Sequence, residues 1–268
     1  MSGVRDVNSS RTAGTGTAAR PASWLAMTLA LAGNELRLAA RRGESLLVTF
    51  VIPAGVLVVF SMFDTSGDTS TGRPVDRLLP GSAALAIIAA SLVSLAIATG
   101  FERQYGVLKR LGGSPAGSSV VVAAKTAAVV AIEAVQLALL VGLATVMLGW
   151  TAGATASPPL VAAGLVAGTV AFAGLGLLMA GMLRAEATLA LANLLFLVFL
   201  VLGGIVVPLD RFPAAVASVA GVLPAAALSQ VLATGLGMST ADATEPLALL
   251  IGWAVVLATL AARRFRWD

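Results

Sequence analysis

The run VVVAAKTAAVVAIEAVQLALLVGLATVML, residues Val120 to Leu148, carries only two charges, Lys125 and Glu133. As a helix it is long enough to cross a hydrocarbon core, which takes about 20 residues. The other spanning solution is a closed barrel of strands, whose signature is alternation of apolar and polar residues. This run is continuous and rich in Ala and Leu, so it predicts a helix. The whole chain agrees: of 268 residues 58% are hydrophobic and 11% charged, with a mean hydropathy of +0.96, where soluble domains carry about 25% charge. The sequence predicts an all-α integral membrane protein.

Six such segments are expected to span, at 44–63, 79–99, 120–148, 160–182, 189–207 and 247–262. Pro53 and Pro80 fall within or at the edge of spans, which neighbouring helices tolerate in lipid. Lys and Arg set the orientation. With the N-terminus in the cytoplasm, 14 of the 17 basic residues fall inside, and only Arg73, Arg77 and Arg211 fall outside. Both termini are then cytoplasmic. The basic balance is a topology signal, and nucleic acid is not an expected partner. Residues 1–21 are polar with no apolar core, so they read as a disordered cytoplasmic tail and no signal peptide. Residues 22–268 form one transmembrane domain.

Two segments are neither spans nor ordinary loops. In WLAMTLALAGNELRLAARR, residues 24–42, Leu25, Leu29, Ala32, Leu36 and Ala40 share a face opposite Asn34, Arg37 and Arg41. This separation predicts a helix lying in the inner membrane interface. A seventh span would put Asn34, Glu35, Arg37, Arg41 and Arg42 into lipid at high cost. Residues 208–236 are apolar but broken by Pro208, Pro213 and Pro224. They predict two short helices, 213–222 and 224–234, each with Pro near its first turn. Such a pair would form a re-entrant hairpin in the outer leaflet or an amphipathic hairpin on the surface.

The chain has no Cys and no His, which excludes thiol and imidazole catalysis and leaves no metal site to expect. A P-loop needs a Gly-Lys-Ser/Thr ending. The only lysines are Lys109, followed by Arg110, and Lys125, preceded by Ala124, and neither fits. The chain reads as a non-enzyme that binds no cofactor. Within the spans, Glu133 and Gln136 are candidates to line a substrate path. Equally, Glu133 serves a structural hydrogen bond to a neighbouring helix. Lys125 lies nearer the cytoplasm, where a long basic side chain snorkels to the interface. Glycines at 164, 168, 174, 176 and 181 let the fourth span approach its neighbours closely.

FERQYGVLKRLGGSP, residues 101–115, is the polar tract between the second and third spans. Val107, Leu108 and Leu111 form an apolar edge of a short helix rimmed by charge, and Gly112 and Gly113 end it. Such an edge suits docking into a groove of another protein or resting on the lipid surface. Glu102, Gly106, Leu108, Lys109, Arg110, Leu111, Ser114 and Pro115 together resemble the signature between spans two and three of ATP-binding-cassette type-2 exporter permeases. That bacterial family exports drugs, lipids and polysaccharides. The resemblance extends to NELRLAARRGESLLVTFVIPAGVLVVF at 34–60, to Lys125 and Gln136 in the third span, and to Pro208, Phe212-Pro213 and Leu223-Pro224. It covers most of residues 24–267. Gly113 departs from the family's usual larger residue.

The resemblance implies that 101–113 is a coupling helix seated on a cytoplasmic ATPase through Glu102, Tyr105, Gly106, Val107, Leu108, Lys109, Arg110 and Leu111. It further implies two ATPase subunits carrying ATP and Mg, a second permease copy or a related permease, and residence in the bacterial plasma membrane. The expected function is export of an amphipathic drug-like or lipidic substrate. The alternatives are polysaccharide export, a proton-coupled carrier using Glu133, and a membrane assembly factor that moves nothing.

Overall fold

The computed structural model describes residues 23–41, 43–62, 73–112, 117–205 and 209–264, without the side chains of 43–48, 110–112 and 210. The expected tail at 1–21 and Pro208 lie outside the described residues. Every long element among those described is helical, as the continuous apolar runs predict. The helices are α1 (Trp24–Arg41), α2 (Gly43–Met62), α3 (Pro74–Ile88), α4 (Leu95–Gln104), α5 (Val107–Gly112), α6 (Ser118–Leu148), α7 (Pro158–Met182), α8 (Ala185–Leu202), α9 (Ala214–Gly221), α10 (Pro224–Gly235) and α11 (Thr244–Arg264).

Among the described residues, five helical stretches are each long and apolar enough to cross a membrane: Pro74–Gln104, α6, α7, α8 and α11. They correspond to the second to sixth expected spans. The first expected span is α2, apolar over Thr49–Met62. Pro53 lies inside it.

The second span differs from expectation. It begins at Pro74, passes through a π segment at Ala89–Ser94, and stays helical to Gln104. The coupling segment expected at 101–113 is therefore divided. Residues 101–104 finish the span, and α5 alone is the separate short helix. Polar residues 102–104 remain helical because their side chains find partners within the protein. At the other end of this span, Asp76 accepts the Arg73 backbone N–H at 3.2 Å, satisfying a donor that the first turn leaves free. The fifth span also ends earlier than expected, at Leu202, because Gly203-Gly204 breaks the helix and Gly204 takes a φ of 68°. Before α11, the Thr244 hydroxyl (2.6 Å) and backbone N–H (2.9 Å) donate to Asp242, holding its carboxyl below the usual range.

α7 is the axis of the bundle, packing against α11, α10, α6, α4 and the π segment. Its glycines make this possible. A Cβ at Gly164 or Gly168 would collide with Val231 or Leu228 of α10, and one at Gly174 with the α11 backbone at 2.8 Å. One at Gly176 would lie 2.9 Å from the Leu92 carbonyl oxygen and 3.2 Å from that of Ser91, in the π segment. The glycines thus serve packing within the chain. Phe172 of α7 meets Phe199 of α8 edge-on at 5.4 Å, inside the largest core cluster.

The expected pair of short helices is present. Pro213 precedes α9, Pro224 opens α10, and the two are bent by 78°. They are unequal partners. α10 buries Leu228, Val231 and Leu232 completely, whereas α9 leaves Val216 and Val219 exposed. The bend is held from α11, where the Trp253 indole N–H donates to the Val222 carbonyl at 3.0 Å.

Gly176→Ala is expected to destabilise the bundle by about 2 kcal/mol, because backbone carbonyls cannot give way as side chains do. Gly142→Ala on α6, with nothing within 4 Å of the new Cβ, is expected to leave it unchanged. Thermal unfolding in detergent compares the two, and equal midpoints would refute the packing role.

Candidate functional site

The polar tract between the second and third spans starts with side chains bonded into the protein. Glu102 reaches back to Lys125 of α6, whose ammonium donates to Glu102 Oε2 at 2.7 Å. The same ammonium donates to Glu35 Oε1 of α1 at 2.9 Å. Lys125 is 2% exposed, and the carboxylate side chains keep 27% (Glu35) and 19% (Glu102) of their surface. The expected snorkelling of Lys125 is thereby corrected: its charge stays inside because two carboxylates come to it. An ammonium leaves water at a cost of several kcal/mol unless it is paired with good geometry, and here two of its three protons have anionic acceptors.

The next two residues secure the tract to a second place. Arg103 donates to the Ala180 carbonyl at 2.9 Å and the Leu183 carbonyl at 2.8 Å. These are carbonyls at the C-terminal end of α7, where unpaired acceptors and the helix dipole favour a cation. Gln104 donates to Glu186 at the start of α8 at 3.1 Å. Successive residues 102, 103 and 104 therefore fasten the end of α4 to α1 and α6, to α7, and to α8.

The chain then turns at Tyr105 and Gly106. Gly106 has a φ of 72°, a left-handed conformation that costs other residues about 1–2 kcal/mol. Beyond it, α5 divides the expected docking edge. Leu108 is fully buried in a cluster with Leu95, Val121 and Leu177, so it anchors α5 to the spans and is not free to enter a groove elsewhere. Tyr105 is 73% exposed, and Val107 and Lys109 are also exposed. Phe101 stacks on Tyr105 at 6.1 Å. The side chains of Arg110 and Leu111 lie outside the described residues.

α1 crosses α6 with a face that differs from the expected one. Thr28 and Ala32 are buried, and Glu35 points to Lys125, while Leu25 and Leu29 are exposed. The apolar stripe read from the sequence is thus divided: Ala32 packs against the protein, while Leu25 and Leu29 face away from it, as a lipid-facing surface would. α1 is not among the described helices long and apolar enough to span.

The two candidate path residues separate. Glu133 is 1% exposed, and its carboxyl meets the Thr169 hydroxyl of α7, which also bonds the Leu165 carbonyl at 2.7 Å. This is an interhelical hydrogen bond of the kind that joins membrane helices. Gln136, 5% exposed, instead lines a cavity of about 150 Å³ between α1, α2, the π segment, α4 and α6. Glu35, Glu102 and Lys125 line the same cavity. Reading the sequence used Glu35 only as an argument against a seventh span and did not place it in a site. Its signal was an acidic residue among the arginines of an amphipathic helix.

Lys125→Met is expected to cost about 3 kcal/mol, the low end for breaking a buried pair, because both stranded carboxylates retain some solvent. Adding Glu35→Gln and Glu102→Gln is expected to recover much of the loss in thermal unfolding. No recovery would show that the ammonium acts through packing alone.

A family model described as ABC-2 type transporter matches residues 27–236. No curated protein matches the chain.

Proposed function

The chain belongs to the ABC-2 type transporter family, and from that premise we propose that it is the permease subunit of an ATP-driven exporter whose motor is a separate ATPase. The observation that carries the proposal is the small surface formed by Tyr105, Val107 and Lys109. It projects from a helix whose base is fastened to α1, α6, α7 and α8. That fastening gives a push on the surface a short route to the spans.

In this mechanism ATP and Mg are bound by two partner ATPases, and two permeases, identical or related, enclose the pathway. Closure of the ATPases presses on α5. Leu108 passes the load into the buried cluster it shares with Leu95, Val121 and Leu177. Arg103 carries it to the end of α7, and the Glu102–Lys125–Glu35 group carries it to α6 and α1. The surplus of Lys and Arg at this end supports a cytoplasmic α5 and cytoplasmic termini in a bacterial plasma membrane. The substrate is amphipathic and drug-like or lipidic, because the spans offer too few polar groups to hydrate a sugar chain. Glu133 serves as an interhelical bond in this scheme, and transport does not pass through it.

The test is affinity purification from native membranes of the wild type and of a Tyr105→Asp, Val107→Asp double variant, followed by an ATPase assay. The wild type is expected to bring down a Mg-dependent ATPase. The variant should lose it about tenfold or more, as when a central contact of an interface is removed. Both side chains are exposed, so the variant should unfold at the wild-type temperature. Leu108→Asp, by contrast, should unfold. Well-folded wild type that recovers no ATPase would overturn the proposal.

A further inference from the structure

We propose that the cavity between α1, the π segment and α6 is a slot for a linear amphipathic cation, an alkylammonium with its head at Glu35 and Glu102 and a polar group at the far end of its chain, at Gln136. The charges among the lining residues are two carboxylates and one ammonium, so the ionised group keeps one negative charge after Lys125 has bonded to both. A second cation neutralises it, whereas an anion would meet two carboxylates beside a lysine already occupied. Glu35 and Glu102 also keep part of their surface open, which leaves acceptor positions for a further N–H donor.

Beyond the charges the walls are mostly apolar, with Leu38, Leu95, Val129 and Ile132, and also carry Thr49 and Ser94. At the far end the Gln136 amide is buried, and neither its oxygen nor its nitrogen has a partner among the described residues. A buried, unpaired amide is costly and rare, and this one lines the slot. Lys125 and Gln136 lie eleven residues apart on α6, or about 16 Å at the helical rise. A volume of about 150 Å³ lined at one end by the charged group and at the other by Gln136 suits a chain with a polar group at each end.

This inference names a substrate class for the proposed exporter, and it rests on that proposal only for the movement of the ligand. Binding belongs to the permease alone. The same chemistry is found in single-chain amine lipids and in free alkylamines. Mass spectrometry of the purified permease distinguishes them: a retained amine lipid marks an endogenous occupant, and an empty slot that titrates marks an imported one.

The experiment is calorimetric titration of the permease in phosphatidylcholine nanodiscs with 10-hydroxydecylammonium, decylammonium, decanoate and decanol, each corrected for empty discs. The hydroxylated amine is expected to saturate at one per chain, with decylammonium about fivefold weaker for want of a partner at Gln136 and the other two at least about tenfold weaker. Glu35→Gln, which leaves one neutral ion pair, should weaken it about tenfold, the worth of one charge-assisted contact. Ser94 is an exposed residue of the π segment that lines the slot, so Ser94→Phe should abolish binding without lowering the unfolding temperature. Decanoate binding as well as the amine, or undiminished amine binding to a folded Ser94→Phe variant, would overturn the slot. Amine binding by a permease that captures no ATPase would overturn export and leave the slot standing, and the reverse result would do the opposite.

Discussion

A single buried ammonium decides how one end of this bundle is put together. Lys125 sits in surroundings where a lone charge would be prohibitive, and its two carboxylates come from helices distant in sequence, α1 and α4. Neither acid can leave without stranding the ammonium. The three helices therefore keep their mutual positions for an electrostatic reason, more directional than contact between apolar faces. With Arg103 capping α7 a residue further on, the base of α5 is attached to most of the spans around it.

The opposite end is built differently. There the bundle closes through apolar contacts of α2, α3 and α6 around Trp150, and through loops such as Gly149, whose carbonyl accepts from Arg73 at 2.6 Å. The hairpin arm α10 is inserted into the core, and α9 lies outside it. Only the indole of Trp253 marks where one gives way to the other. One end is held by paired charge buried among the helices, and the other by apolar packing with Arg73 bonded at its exposed rim, so the two respond to different perturbations.

Much of this was legible in the sequence. Continuous apolar runs gave the spans, because lipid requires internally bonded helices, and Pro213 and Pro224 gave the two arms of the hairpin. What stayed hidden depends on tertiary distance or on rotation. Glu35 and Lys125 are 90 residues apart, and nothing in local pattern pairs them. A helix as short as α5 has no periodicity from which to tell Leu108, facing inward, from Val107, facing outward. The amphipathic pattern of α1 was real, but lipid and protein both accept apolar side chains, so the stripe could not say which face met which. The π segment has no compositional mark at all.

That segment sets a constraint of its own. A helix turns about 100° for each residue, and a π turn accommodates more residues per turn than an α turn. The wide turn at Ala89–Ser94 takes up about one residue more than the same stretch of α-helix would, so the helix beyond it keeps its angular phase. Removing one residue there would let the span relax into a regular α-helix and leave Glu102 facing Lys125, whereas removing one elsewhere between Leu79 and Glu102 would turn Glu102 about 100° away. Homologues of different length in this span are therefore expected to differ at the wide turn and not beside it. The segment acts as an expansion joint, taking up a change of length while the two ends of one helix keep their two sets of neighbours.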